Sequence, residues 1–395
     1  MVGCLAMRRD RQVAGIERLL SVVSSGAPEP SLTESTLEVD RYTSPSRLEA
    51  ERRVLFRKLP IVVGRETDVP EPGSFFTHDA AGLPLLVTRD ASGKVHAMLN
   101  VCRHRGTRLV SEESGKAKAF VCPYHAWTYD LEGRLGHVPL ARCFPSLESG
   151  ARERDESALV ELPCETRHGF VWVLPTTGAP LDVAGWLGEF DDDLTSFGLA
   201  DHVVFRRSSA VRKANWKLVM DAFLEGYHVK SLHQRTLSRF FGDEVVVDMS
   251  GSHVRSLGAR RNLPELATAP RDQWDVRAVA TVFFTLFPNS VLVFHPDTVS
   301  HIALFPHAID EVTFVHTMLA TKHPETDEAR IALEKTWDLI DGKVFAKEDL
   351  VIAESIQSVL HADAQPSFRL GLLERPIRFF HEAIDHAIDA NPLRP

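Results

Sequence analysis

Apolar positions recur along this chain at two different periods, and each change of period marks a new part. The first 26 residues, with IERLLSVV at their centre, follow helical spacing, and a Pro/Ser/Thr-rich connector runs on to about Ser44. Ser44 and Pro45 form an N-cap and first-turn pair that opens a helix through SRLEAERRVLFRK. From Leu59 to about Pro175 the pattern shortens to strand-like runs, PLLVTRD, KVHAML, AKAFVCPYH and GFVWVLP. Turn signals PEPG, ASGK and LEGR lie between them, so a small antiparallel β domain is expected. GAPLDVAGWL and an acidic DDD read as a linker into a second domain. Residues 203–233 begin as a strand and end as a helix, NWKLVMDAFLEGYH. Four strands follow within 276–320, and 325–390 return to helical spacing. The fold class is α+β, with a small antiparallel β domain over 58–178. A larger domain over 179–395 has an antiparallel sheet covered by helices, and residues 1–57 form a helical segment packing on it.

Composition narrows the function without choosing it. With 395 residues, 44% hydrophobic and 25% charged, the chain has the material for ordinary globular cores. A formal net charge of −9 argues against a nucleic-acid partner. No apolar run approaches the roughly 18 residues that span a bilayer, since Thr281 to Phe294 is broken by Pro288 and Asn289. The start, MVGCLAMRRDR, lacks a basic stretch ahead of a long apolar one, so no secretory signal is expected. Five cysteines are too few, and odd in number, for a disulfide scaffold, which points to a cytoplasmic setting.

Two cysteine–histidine pairs carry the first chemistry. Cys102 and His104 lie in CRH, and after 17 residues Cys122 and His125 lie in CPYH. Thiolate with imidazole suits zinc or an iron–sulfur cluster. A structural zinc is the plain alternative, but each loop here offers one Cys and one His. In a Rieske centre two histidines replace two cysteines on one of the two irons. Gly106 and Pro123 stand where such loops turn tightly. NVCRHRGTRL and CPYHAWTYDLEGRL, with VPEPGSFF before and HGFVWV after, closely resemble the Rieske domain of ring-hydroxylating oxygenase α subunits. The resemblance implies a [2Fe–2S] cluster on Cys102, His104, Cys122 and His125 within 58–178. It also implies a helix-grip-like catalytic domain over 179–395. Cys4, Cys143 and Cys164 have no partner spacing and read as packing or surface residues.

The second constellation is EGYHVKSLH, residues 225–233. Glu225 and His228 can share a helical face, but His233 joins them only where the helix ends or distorts. Two histidines suit a 2-His-1-carboxylate triad, which leaves one face of a non-haem Fe(II) open. Together with NWK (Asn215 to Lys217) and the Tyr227–His228 pair, the stretch resembles the same family's mononuclear iron motif. That resemblance implies His228 and His233 as Fe(2+) ligands. It casts Glu225 as a bridge between the metal sites that accepts a hydrogen bond from a ligand histidine. Most family members carry Asp there, and a minority branch that includes oxygenases of quaternary ammonium compounds carries Glu. Asp221, one turn earlier, either supports Glu225 or is a helix-surface carboxylate. The third ligand is sought on VFAKEDLVIAESIQSVL, residues 344–360, whose apolar face is read from Phe345, Ile352, Ile356 and Val359. Asp349 falls on that face, and a carboxylate there asks for a cation. Glu348 is the alternative, while Glu354 lies with Lys347 and Ser358 on the solvated side.

The resemblance, from about Phe56 to His381, implies a Rieske-type oxygenase, mono- or dioxygenase, that activates O2 and hydroxylates a small organic substrate. It also implies a head-to-tail homotrimer in which His104 of one subunit faces the iron site of the next. No GxGxxG or flavin pattern is present, so a separate NAD(P)H-dependent reductase, with or without a ferredoxin, is expected to supply electrons. Phe283, Phe284, Phe287, Phe294, Phe305 and Phe314 favour an aromatic or other apolar substrate. A quaternary ammonium substrate of a monooxygenase or N-demethylase is the alternative. It would want an aromatic cage, for which residues 200–395 offer Tyr227, Trp216, Trp274 and Trp337. One of His295, His301, His307 and His316 could hold a substrate carboxylate, with a surface or satisfied-core role as the default for each. Readings from other classes are an electron-transfer protein with a vestigial second site and a zinc-bound interaction module.

Overall fold

Seven antiparallel strands make the sheet on which the larger part of the chain is built. In chain order they are β1 Val203–Arg212, β2 Phe241–Ser250, β3 His253–Arg260, β4 Ala280–Leu286, β5 Ser290–Phe294, β6 Thr298–Ala308 and β7 Glu311–Ala320. Their order across the sheet is β1-β7-β6-β5-β4-β3-β2. The computed structural model describes residues 2–27, 29, 33–149, 151–266, 268–362 and 364–391. The chain separates into two compact units, Met1–Leu55 with Leu187–Pro395, and Phe56–Trp186.

In the larger unit, β5 is buried at all five positions, as its unbroken apolar composition requires. The edge strand β1 has no buried position. Helix α1, Trp216–Phe223, is capped by Asn215, whose side chain accepts from the Lys217 N–H. The NWK stretch seats this helix. Lys217 Nζ lies 2.8 Å from Glu51 Oε2, Trp216 Nε1 donates to the same oxygen at 2.9 Å, and Lys217 and Glu51 are fully buried. Later come α2 Val229–Leu232, α3 Asp327–Leu339, a π-helical segment Ile340–Asp349, α4 Leu350–Val359 and α5 Arg375–Asp389. Helix α5 buries Ile377, Phe380, His381 and Ile384. The N-terminal helix Val2–Ser25 is tied to the same unit by Arg18, 2.6 Å from Asp248.

Four strands depart from the sequence pattern. The connector before Ser44 holds a strand, Ser35–Glu38, paired antiparallel with Ser367–Leu370 inside the stretch read as all helical. Only Leu37 of its four residues is buried, so the pattern is too short to register. The β2–β3 hairpin was not expected either. It turns at Gly251, whose φ of 58° suits glycine.

The smaller unit holds a five-stranded sheet and two three-stranded ones. CRH follows the strand Val95–Leu99, and CPYH lies between the short strands Phe120–Val121 and Thr128–Tyr129. Between the loops sits one apolar cluster that includes Phe75, Leu86, Met98, Trp127 and Tyr129 together with both cysteines.

Candidate metal centres

The two loops of the smaller unit are built alike. Gly106 N–H donates to Cys102 O at 3.0 Å and Ala126 N–H to Cys122 O at 2.9 Å. Gly106 and Ala126 occupy corresponding positions with φ of 78° and 58°. Each loop buries its cysteine and leaves its histidine half-buried. The four donors then sort by element. His104 Nδ1 and His125 Nδ1 are 3.1 Å apart, and the Cys102 thiol neighbours that of Cys122. A tetrahedral zinc would hold all four donors roughly 3.3–3.8 Å apart. Among the described residues, the groups with three donor atoms mutually within 4.8 Å are His228–His233–Asp349 and Asp90–His96–Glu132, so these four do not close on one point. A pair of sulfurs and a separate pair of imidazoles fit a two-iron cluster instead. Tyr129, whose role the sequence did not signal, sets its hydroxyl 3.4 Å from Cys102 Sγ and accepts from the Arg103 N–H at 3.0 Å. The His104 ring stacks on Trp127 at 4.8 Å. Cys143 is exposed and Cys164 half-buried.

In the larger unit the expected helix through Glu225 and His228 is broken. Helix α1 stops at Phe223, and α2 spans only four residues, with His228 before it and His233 after it. Glu225 makes the break. Its Oε2 accepts from the backbone N–H groups of Tyr227 and, at 3.2 Å, of His228, so the chain restarts its helix on this carboxylate. The other oxygen, Oε1, lies 2.5 Å from His228 Nδ1. That bond leaves His228 Nε2 facing inward, 3.2 Å from His233 Nε2. Asp349 Oδ1 lies 3.1 Å from His233 Nε2 and 3.7 Å from His228 Nε2. It is buried without a hydrogen-bond partner. A buried carboxylate oxygen facing two imidazole nitrogens is costly unless a cation joins them. Glu348 stands behind the site. Its Oε2 lies 2.7 Å from His233 Nδ1 and accepts from Thr236 Oγ1 at 2.8 Å. Burial opposes charge on His233, but Asp349 and Glu348 override it and raise its pKa, which marks the pocket as one that favours positive charge.

The helix supplying these carboxylates differs from its sequence reading. The π-helical turn through Ile340–Asp349 shifts the phase, so the buried stripe runs through Val344, Phe345, Asp349, Leu350, Ala353 and Gln357. Ile352 and Val359, read as core, are 44% and 62% exposed. Glu354, read as solvated, accepts from Arg212 at 2.9 Å and from the Lys213 N–H at 3.0 Å. Asp221 neither touches Glu225 nor lies free on the helix surface. It accepts from the Tyr42 hydroxyl at 2.5 Å and meets His381 Nε2 at 3.1 Å.

A cavity opens beside the triad. Four phenylalanines line it, Phe223, Phe241, Phe283 and Phe345. Of the six expected from the strands only Phe283 is among them, while Phe284, Phe287, Phe294, Phe305 and Phe314 are core. Glu225, Asp243 and Asp349 bring three carboxylates to the wall, and its described lining holds no Lys or Arg. Of the four strand histidines, His295 alone is part of that lining. His316 and His301 are buried, and His307 bonds Thr313 Oγ1 at 2.5 Å.

A cradle of paired thiols and imidazoles in one unit, and a two-histidine, one-carboxylate cluster in the other, define a Rieske-type oxygenase subunit. Residues 60–148 match the Rieske [2Fe-2S] domain, and residues 199–390 match the ring hydroxylating alpha subunit (catalytic domain). The chain belongs to this family of Rieske non-haem iron oxygenase large subunits. The two domains carry a [2Fe–2S] cluster and a mononuclear Fe(II), which the donor sets above fit. Among its relatives is the glycine betaine monooxygenase oxygenase subunit of Pseudomonas aeruginosa, 32% identical over 212 residues, 53% of this chain and 48% of that one. The chain thus spans about half the length of the first curated relatives it matches. Choline monooxygenase of Beta vulgaris is 28% identical over 90% of this chain and 76% of its own. A quaternary ammonium Rieske monooxygenase solved with L-carnitine superposes with a TM-score of 0.75 at 24% identity, over 91% of this chain and 96% of that one. Naphthalene 1,2-dioxygenase from Rhodococcus sp. gives 0.75 at 18%, over 96% and 99%. At these identities the structural likeness is one of fold. No helix among the described residues is long and apolar enough to cross a membrane.

Proposed function

We propose that the chain is the oxygenase component of a system that hydroxylates a small quaternary ammonium compound, drawing electrons from a separate NAD(P)H-dependent reductase. The convergence of His228 Nε2, His233 Nε2 and Asp349 Oδ1 around an orphaned carboxylate oxygen carries the reading. Those three residues would hold the iron, and Cys102, His104, Cys122 and His125 the cluster. When bound, the cluster supplies single electrons and the iron activates O2. Glu225 and Glu348 fix the two ligand imidazoles by accepting at their outer nitrogens. The cavity supports a cationic substrate, since four phenylalanine rings line it and its described lining holds no Lys or Arg. The sequence leaned towards an apolar substrate because it counted Tyr and Trp. Phe223, Phe241 and Phe345, three of the four rings, lie off the strands it considered. Glu in place of the family's commoner Asp at 225 agrees with the quaternary ammonium branch.

The family resemblance also supports a head-to-tail homotrimer. Ile352, Ile356 and Val359 line an open depression that reaches Glu225 and His228, an apolar surface fit to be covered by a neighbouring subunit. The small, odd number of cysteines supports a cytoplasmic setting. An aromatic substrate is the second reading, favoured by the same rings and by a relative, the anthranilate 1,2-dioxygenase large subunit of Acinetobacter baylyi, 32% identical over 205 residues. The test is turnover by the iron-replete protein with a reductase, NADH and O2. Glycine betaine, choline, carnitine and anthranilate are offered in parallel, and oxidised product is followed by mass. Product from anthranilate alone overturns the quaternary ammonium reading. A visible spectrum without Rieske bands overturns the cluster.

A further inference from the structure

His295 ends a line of polar side chains that crosses the sheet beneath the cavity. It follows β5 and lines the cavity. Its Nε2 lies 3.2 Å from Ser300 Oγ on β6. Ser300 Oγ lies 3.0 Å from His316 Nε2 on β7, and His316 Nδ1 lies 2.8 Å from Asp341 Oδ1 in the π-helical segment. Ser208 on β1 donates to the same Asp341 oxygen at 2.6 Å. His316 is fully buried and stacked on Trp337 at 4.9 Å, so its ring cannot turn freely.

Proton positions along this line follow from one end. Burial works against ionising Asp341, but hydrogen bonds from His316 and Ser208 with the charge of Arg206 more than offset it. Asp341 is therefore a carboxylate, which only accepts. Burial keeps His316 neutral against the pull of Asp341, so its single proton sits on Nδ1 and Nε2 is a lone pair. Ser300 has one hydroxyl hydrogen and gives it to that lone pair. Its own lone pairs are left for His295, whose proton must be on Nε2. Burial, Arg260, His316 and Arg277 push the His295 pKa down to about 3, so the ring stays neutral. Its Nδ1 has no partner among the described residues.

We propose that His295 is a specificity-determining residue that offers Nδ1 as a hydrogen-bond acceptor to the cavity, with Ser300, His316 and Asp341 as positioning residues that hold its tautomer. The substrates it favours carry a hydroxyl or N–H donor, and a group that can only accept meets a lone pair. This rests on the proposal that the cavity beside the triad binds substrate, and it deepens that proposal by one chemical requirement.

Anaerobic calorimetry on the iron-replete protein tests it with two matched pairs, choline against its O-methyl ether and benzyl alcohol against benzyl methyl ether. In whichever class binds, the alcohol is expected to bind about tenfold tighter than the ether. Asp341→Asn offers an amide hydrogen to His316 Nδ1 and lets every bond in the line reverse, which makes His295 Nδ1 a donor. The preference for the alcohol should then vanish or invert, a change that loss of packing alone would not produce. Ser300→Ala should also abolish the preference, and Ser300→Thr, which keeps the hydroxyl, should retain it. Equal binding of alcohol and ether by the unmodified protein overturns the proposal. So does a preference unchanged in both Asp341→Asn and Ser300→Ala, or failure of both alcohols to bind. Binding of the benzyl pair alone, with the alcohol preferred, upholds His295 and sinks the quaternary ammonium reading. Binding of the choline pair alone, with choline no tighter than its ether, does the reverse.

Discussion

Glu348 and Asp349 are adjacent, acidic and both within reach of His233, yet the geometry gives them different work, and that difference can be measured. Asp349 Oδ1 is the oxygen without a hydrogen bond, whereas Glu348 Oε2 already accepts from Thr236 at 2.8 Å and meets His233 Nδ1 at 2.7 Å. Asp349→Ala removes one of three donors and is expected to release the mononuclear iron. Glu348→Gln keeps an accepting oxygen and loses only the charge. A hydrogen bond to a charged group contributes about 1.5–3 kcal/mol, and a neutral one about 0.5–1.5. The difference between their midpoints, about 1.25 kcal/mol, is somewhat under tenfold in iron affinity. Glu348→Ala also frees the His233 ring and leaves the Thr236 hydroxyl unpaired, so a loss nearer 100-fold is expected. Anaerobic Fe(II) titration against a competing chelator gives the affinities, with the Rieske spectrum as internal control. If Asp349→Ala kept its iron while Glu348→Ala lost it altogether, the assignment of the two carboxylates would be reversed.

Other changes probe separate parts of the molecule. Glu225→Gln should keep iron and cluster but slow reductase-coupled turnover by orders of magnitude, with peroxide restoring part of it; loss of iron would instead make Glu225 a ligand. Cys122→Ser should abolish the Rieske visible and electron-spin signals, and a normal spectrum would remove Cys122 from the ligand set. Lys217→Met removes one of two cations paired with the fully buried Glu51 and leaves Arg47 at 3.1 Å, so it should cost less than the roughly 3–5 kcal/mol of an unpaired buried charge. Denaturant unfolding checks it, and a loss of that full size would show that Arg47 does not compensate. Burial, against the pull of Asp221, holds the His381 pKa below its ordinary 6.5. The unfolded chain therefore takes up this proton first, and stability present above pH 6.5 drains as pH falls below it, by up to about 1.4 kcal/mol per pH unit. The drop in thermal midpoint from pH 7.5 to 5.5 should be smaller in His381→Gln, and an equal drop would clear His381.

How far the sequence can be read depends on how far apart the cooperating residues lie. The Rieske cradle was readable because each loop carries its own Cys–His pair and a left-handed residue within five positions, at Gly106 and Ala126. Glu225, His228 and His233 were readable as a misfit, a spacing no straight helix allows. Only the structure shows that Glu225 itself breaks the helix by capping the turn it belongs to. The third ligand was harder, because period alone assumes 3.6 residues per turn and the π-helical segment does not keep it. Phe345 and Asp349 remain buried, but Ile352 and Val359 turn outward. Core strands announced themselves through apolar runs, as in SVLVF, whereas β3 hid because its cavity face carries Ser256 and Gly258.

That last case shows why the cavity was the least visible part. A sheet face that lines a binding cavity need not be apolar, so Ser256, Gly258, Thr281 and His295 interrupt the alternation that would otherwise reveal the strands. Its aromatic wall draws Phe223 from α1, Phe241 from β2, Phe283 from β4 and Phe345 from the π-helical segment, elements with no common sequence period. The line from His295 to Asp341 has the same origin: Ser300 and His316 sit fully buried in strands β6 and β7. Buried polar groups in such strands persist only when each finds a partner, and here each does. Polar residues that spoil a strand's pattern are therefore where a sequence of this kind hides its specificity, and Asp341→Asn asks whether these do.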